Sequence, residues 1–457
     1  MIYFLLFVDT FTSGKSMFFY LILIEKVLYQ SLNYKLKIMY FCSHYIYFIN
    51  LKLLNIKYLS YLLFFIGMYF GGRYAVNGIA LFVFIAIISI VKEGIRPIKE
   101  FPKILLIPIS FYLIHLISAL YSTNLNASFF DLQVKFSFVL LPLIFGLQKK
   151  EKQADIYIIL RLFVLATIIS TSVLLGVNYI ESIKIGKWQH YMEFSKFLHP
   201  SYLSMYLVFF VLTTVFLVSQ KKGNLFCLSI GMLLSITTLY FADSKAGMLV
   251  LNITLGFIGI KSLYSISKVL ALVTSFLVIL SVIVLFNYSY RFKTLHLSTE
   301  KIEQILDNPN QSAESTTLRI LVWSASIEVI KHHPIIGVGN GDVKNELNTV
   351  YTQRNYKVPL EIKMNSHNQY LETYIGTGII GLMILVFMIT LPFFIIKSKT
   401  LLMQGFIIIF AFNILVESMF NTQAGVIFIV FFYSFLISQT KNKNSINHGS
   451  VTLEATD

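Results

Sequence analysis

The chain has 457 residues, 56% of them hydrophobic and 16% aromatic, with only 13% charged, a composition that excludes an ordinary water-soluble enzyme and describes a polytopic membrane protein. Its formal net charge of +15 would suggest nucleic acid in a soluble protein, but here it points to basic cytoplasmic loops. The two cysteines, Cys42 and Cys227, lie far apart in apolar runs, which argues against a disulfide framework or a thiolate metal site.

Residues 1–57 read as an N-terminal extension. Their short, Tyr-rich apolar runs are broken by Lys15, Lys26, Lys35 and Lys37 and fit either an added hydrophobic hairpin or a poorly conforming extension, since no clean signal peptide with a small-residue cleavage site is visible. At roughly 20 residues per spanning helix, the apolar runs that follow predict about twelve spans. Nine fall within residues 58–288, near 58–72, 74–91, 104–120, 134–147, 156–178, 200–219, 224–242, 246–263 and 265–288. Three more fall within residues 367–440, near 368–396, 400–418 and 421–439. Alternate loops are basic: Lys92, Arg96, Lys99 and Lys103, then Lys149, Lys150 and Lys152, then Lys221 and Lys222, then Lys261 and Lys268, then Lys397 and Lys399. The positive-inside rule puts these loops, and the polar tail at 441–457, in the cytoplasm.

That parity places the one long polar stretch, residues 289–366, on the opposite side. It carries 9 basic and 8 acidic residues, so the positive excess belongs to the membrane unit and nucleic-acid binding loses its support. Helical apolar spacing predicts short helices over Thr299–Leu306 and Thr317–Lys331, the second stopped by His332-His333-Pro334. Gly337-Val338-Gly339-Asn340-Gly341 follows no strand and precedes no lysine in register, so it is not a nucleotide-binding loop. A tight turn is the plain reading, and backbone amides cupping a phosphate the sharper one.

Polar groups at a membrane boundary are costly and are usually paired or functional. Arg73, His199, Lys245, His367 and Glu417 all fall at the predicted outer ends of spans, and Arg319 shares a face of the loop helix with Trp323 four residues on. Each has an ordinary alternative. Arg73 and Lys245 can snorkel to headgroups, His199 and His367 can cap helices, Trp323 can be core, and Gly376, Gly378 and Gly381 can mark close helix packing. The functional case rests on several segments delivering such residues to one face.

Four runs carry a resemblance: Arg319-Ile320-Leu321-Val322-Trp323, His333-Pro334-Ile335-Ile336-Gly337-Val338-Gly339, His367-Asn368-Gln369-Tyr370-Leu371-Glu372 and Gly376-Thr377-Gly378-Ile379-Ile380-Gly381. Together they resemble the signature of the O-antigen ligase and polymerase family. The resemblance implies an all-α, GT-C-like membrane protein of about twelve transmembrane helices in the bacterial inner membrane, with one large periplasmic loop containing short helices. It further implies transfer of a glycan from a polyprenyl-diphosphate carrier to an acceptor sugar such as that of lipid A–core, with membrane lipids as surroundings. Where such proteins commonly have Ser-Arg-Gly, this chain has Ser244-Lys245-Ala246, which keeps the charge but not the planar fork that grips phosphate bidentately.

Displacing a diphosphate from an anomeric carbon requires charge stabilisation on the leaving group and removal of the acceptor's proton. With no paired-carboxylate motif in the loop, no metal or other cofactor is expected. Arg319, Lys245 and Arg73 are the expected diphosphate clamp, and His199, Trp323, Asn368 and Glu417 complete the substrate site. His367 is the expected general base, with Glu417 or Glu372 orienting it; Glu372, five positions on, points away on a regular helix. The alternatives are a polymerase that extends the carrier-linked chain, a transporter, and an inactive scaffold. His115 and Arg161 are the clear ionisable residues inside spans, few for a transport path.

Overall fold

The computed structural model describes residues 55–264, 267–269, 272, 275–276, 299–311, 314–396 and 400–440. By its contacts the chain divides into Met1–Leu59, of which only 55–59 are described, and Ser60–Asp457. The expected extension at 1–57 and tail at 441–457 therefore lie almost wholly outside the described residues, as does most of the predicted span at 265–288.

Among the described residues every regular element is helical. The helices are α1 (Ile56–Phe70), α2 (Gly72–Glu93), α3 (Leu106–Ala119), α4 (Leu125–Lys135), α5 (Ser137–Leu147), α6 (Gln153–Ile185), α7 (Pro200–Ser219), α8 (Leu225–Ala242) and α9 (Lys245–Tyr264). After them come α10 (Thr299–Asp307), α11 (Ser315–His332), α12 (Val343–Gln353), α13 (Lys357–Glu361), α14 (Gln369–Ile395), α15 (Leu401–Val416) and α16 (Gln423–Ser438). Six described helical stretches are long and apolar enough to cross a membrane, and several shorter apolar helices accompany them.

Helices α7 and α16 are apolar all round and are packed inside the protein. Nearly every α16 side chain is inaccessible, and α7 is enclosed by α6, α8, α9, α15 and α16. Their contact is aromatic: Phe432 packs 4.4 Å from Phe209, 5.0 Å from Phe163 and 5.8 Å from Phe65, ring centre to ring centre. These spacings suit offset and edge-on rings. This core fixes where α7, α15 and α16 begin and end, and so where His199 and Glu417 emerge.

The polar stretch before α14 folds on its own small core. Leu321, Val322, Ala325 and Val329 of α11 meet Leu347, Val350 and Tyr351 of α12 and Ile375 of α14. The helices expected at Thr299–Leu306 and Thr317–Lys331 are present as α10 and α11. Helices α12 and α13 were not expected, although Val343, Leu347, Val350 and Tyr351 do recur at helical spacing.

The glycine turn docks this polar unit onto a break in α14. At Gly378 the helix adopts φ 65° and ψ −165°. A Cβ there would sit 2.0 Å from the Ile335 carbonyl oxygen, and one on Gly337 2.4 Å from that of Ile375, so only glycine allows the approach. The amides of Val338 and Gly339 donate to Ile375 and Gly376, at 2.8 and 3.1 Å, and that of Gly341 to Ser122 Oγ at 3.2 Å. These amides are occupied by protein, which corrects the phosphate-cupping reading. Gly376 and Gly378 admit a loop into a helix break instead of packing helix on helix. Asp342 completes the join by accepting from Thr123 N, Thr123 Oγ1 and Asn124 N at 2.6, 2.8 and 2.9 Å.

Candidate functional site

The site is built where α14 begins and α15 ends. Asn368 is the N-cap of α14, and its side-chain oxygen accepts from Tyr370 N and Leu371 N at 2.9 and 3.2 Å. The Asn368 side-chain oxygen therefore serves the helix. His367, just before the cap, takes φ 45°, a left-handed conformation that a non-glycine residue holds only where its surroundings enforce it. That turn directs the imidazole away from the helix, and its Nδ1 meets Glu417 Oε1 at 2.9 Å. Glu417 is free to reach it because α15 has ended and its backbone is extended, at φ −152° and ψ 144°.

Two serines tie the segments together. Ser366 Oγ lies 3.3 Å from Ser418 Oγ, and Asn368 N donates to Ser418 Oγ at 3.2 Å. Phe420 N donates to Gln369 Oε1 at 2.7 Å.

The Glu417 side chain is only 6% exposed. Burial alone would raise its affinity for a proton, but the hydrogen bond and charge of His367, with the charges of His199 and Arg319, outweigh it and hold the carboxyl below the usual carboxylate value. Three cationic or titratable side chains from α11, the α14 start and the α7 start thus act on one buried carboxylate. His199 is itself pushed down, first by burial and then by the charges of His367 and Arg319, with Glu417 opposing. Its Nδ1 also accepts from Ser201 N at 3.3 Å, capping α7, with Pro200 in the first turn.

Among the described residues, Arg319 Nε, Trp323 Nε1 and Glu417 Oε2 are buried polar atoms without a hydrogen-bond partner. Trp323 packs against the α11–α12 core, so its ring serves that core first. Lys245, at the start of α9, bonds Glu314 Oε1 at 3.0 Å and approaches Thr316 Oγ1 at 3.4 Å. It is ion-paired with Glu314, the N-cap residue of α11, the helix that carries Arg319. The Arg73 backbone lies in the first turn of α2, and its side chain is outside what the structure describes.

His199, Arg319, His367 and Glu417 are thus brought together, and Lys245 reaches the same helix as Arg319. Ser366, Ser418 and Gln369 were not anticipated. The available signal was adjacency, Ser366-His367 and Glu417-Ser418, but a serine beside a functional residue is too common to stand out. Glu372, weighed as an orienter of the imidazole, instead bonds Ser366 and Asn421.

An imidazole with Nδ1 held by a carboxylate keeps Nε2 for a substrate proton, and an adjacent guanidinium suits an anion. The family model described as O-antigen ligase matches residues 230–386, a stretch that takes in Lys245, Arg319 and His367 and stops before Glu417. No curated protein matches the chain.

Proposed function

Residues 230–386 carry the domain of the O-antigen ligase family, and from that premise we propose that this membrane protein transfers a glycan from a polyprenyl-diphosphate carrier to an acceptor sugar. The reaction takes place on the periplasmic face of the bacterial inner membrane. The observation that carries the reading is the His367–Glu417 pair at 2.9 Å with the Arg319 charge acting on the same carboxylate. A base and an anion-seeking group are then within one site.

An acceptor hydroxyl attacks the anomeric carbon of the donor sugar, and its proton passes to Nε2 of His367. The bond from that carbon to the diphosphate oxygen breaks, and the diphosphate leaves with the electron pair. Arg319 meets the charge that develops, Lys245 and Arg73 adding to the field, in surroundings where low dielectric strengthens the attraction. Glu417 holds the imidazole in the tautomer that accepts at Nε2 and stabilises the imidazolium that forms. The topology proposed with this reading is twelve spans with the polar stretch 289–366 periplasmic, because the basic loops alternate with the polar ones.

Membranes carrying the variants, supplied with lipid-linked glycan and acceptor, test it. His367→Ala is expected to lower transfer by about 10²–10⁴-fold, the usual worth of a general base, and Arg319→Ala to weaken donor use severely. Wild-type transfer in His367→Ala removes the base assignment. In a deletion strain, free lipid A–core with carrier-linked polymer accumulating identifies a ligase, and single repeat units on core identify a polymerase.

A further inference from the structure

Glu372 lies in the first turn of α14. Its Oε2 accepts from Ser366 N at 3.0 Å and from the Ser366 hydroxyl, and its Oε1 accepts from Asn421 Nδ2 at 2.8 Å. Ser366 immediately precedes His367. Asn421 ends the short turn Met419–Asn421 that follows Glu417 and Ser418. One side chain therefore joins the segment that presents the base to the segment that presents its carboxylate partner.

We infer that Glu372 is a positioning residue for the His367–Glu417 pair, a role that rests on the reading of His367 as the base. Three features carry it. First, His367 sits at φ 45°, a conformation that persists only when neighbouring bonds over-determine it, and Ser366 is where Glu372 applies that constraint. Second, the Ser366–Ser418, Asn368–Ser418 and Phe420–Gln369 bonds already join the two segments, and the Glu372 bridge from Ser366 to Asn421 adds the tie that starts at the residue next to the base. Third, every group it meets is a donor, so both of its oxygens are used as acceptors.

Glu372 also borders a cavity of about 20 Å³, room for one water, shared with His115, Asp131, Lys135, Asn340 and Asn421. Lys135 pairs with Asp131, whose other oxygen accepts from Asn340 Nδ2 at 3.0 Å. That network continues to the glycine turn, so the carboxylate borders the framework that seats the polar unit on α14.

The test measures kcat and donor KM for Glu372→Ala, Glu372→Gln, Asn421→Ala and His367→Ala in the glycan-transfer assay. Glu372→Ala is expected to lower kcat by about 10–100-fold, the cost of a displacement near 1 Å at a reacting group, with donor KM within about twofold. Glu372→Gln is expected to stay within about threefold of wild type, because its oxygen can remain on Ser366 while its amide meets a turned Asn421 side chain. Wild-type kcat in Glu372→Ala beside an inactive His367→Ala overturns the inference alone. A loss confined to KM overturns it as well, as does Glu372→Gln as poor as the alanine variant, since the charge itself would then act. An active His367→Ala overturns the underlying base reading instead. Should Glu372→Ala fail to fold, Asn421→Ala decides, because it removes one arm of the bridge: a lowered kcat supports the role and an unchanged kcat defeats it.

Discussion

Nδ1 of His367 lies 2.9 Å from Oε1 of Glu417 across 50 residues of sequence, and that distance determines which imidazole nitrogen is available. With Glu417 ionised, Nδ1 donates and Nε2 accepts. Glu417→Gln keeps an acceptor oxygen for Nδ1 but removes the charge that stabilises the imidazolium. Its kcat is expected to fall by about 10–100-fold, as is usual when the partner of a working histidine is altered, with donor KM little changed. Steady-state kinetics of membranes with matched protein content check this, and a loss confined to KM would assign Glu417 to substrate binding.

The same carboxyl predicts an acid limit to stability. Its affinity for protons is lower in the folded protein than the ordinary value of 4.5, so the unfolded chain binds more protons below that pH. The stabilisation is complete above about pH 4.5 and is lost as pH falls through the depressed folded value. Thermal midpoints in detergent should therefore drop below pH 4.5 in wild type, with a shallower drop in Glu417→Gln. Equal slopes would show that the pair is not formed.

Much of this architecture is visible in the sequence because a bilayer leaves the chain little choice. Long apolar runs such as 200–219 have one outcome, and α7 begins at Pro200 because His199 and Pro200 are cap and first-turn residues. The helix around Arg319 was legible from its spacing and its proline stop. The hidden parts depend on backbone geometry. Nothing local marks His367 for a left-handed conformation, which is what moves the cap to Asn368 and releases the imidazole. Nor does spacing show that the glycines of 337–341 and 376–378 meet each other, because a helix break and the loop that fills it lie some forty positions apart in the chain. Lys245 was legible as a charge at a span end, but its partner Glu314 belongs to a polar stretch with no register to the span.

The Lys245–Glu314 contact, 3.0 Å with side chains 17% and 31% exposed, is partly open to solvent, so its coupling is modest. A double-mutant cycle with Lys245→Met and Glu314→Gln is expected to give about 0.5–1 kcal/mol. Lys245→Arg, able to keep the pair, should retain donor use within about threefold on the same grounds. A coupling near zero would free Lys245 for the diphosphate alone, whereas complete inactivity of Lys245→Arg would mean that the lysine's shape, more than its charge, is required.

Gly378→Ala should be far more damaging than Gly381→Ala, although both alter one helix. At Gly378 the new methyl meets the Ile335 carbonyl oxygen in the backbone and the φ of 65° is already unfavourable for alanine. At Gly381 the close atoms belong to the Thr377 and Thr373 side chains, with Thr377 Oγ1 nearest. About 2–4 kcal/mol is expected at the first site, in the range of forced backbone conflicts. Limited proteolysis of the polar unit and the thermal midpoint measure it. Equal behaviour of the two variants would show that the loop does not enter the break in α14.

His199 caps α7, and a substitution can separate that task from the substrate role expected of it. As the α7 cap its Nδ1 accepts from Ser201 N, which requires the neutral ring. Burial and the charges of His367 and Arg319 lower its proton affinity beneath the ordinary 6.5, against the pull of Glu417. The unfolded chain then binds the extra proton first, so stability is complete above about pH 6.5 and declines as pH falls toward the depressed value. His199→Asn supplies a good N-cap oxygen that does not titrate, so its thermal midpoint should change less than that of wild type between pH 7 and pH 5. If transfer activity survives the substitution, His199 acts through the helix it caps. A kcat loss comparable to that of His367→Ala, with the cap intact by thermal midpoint, would make it a second proton-handling group in the reaction.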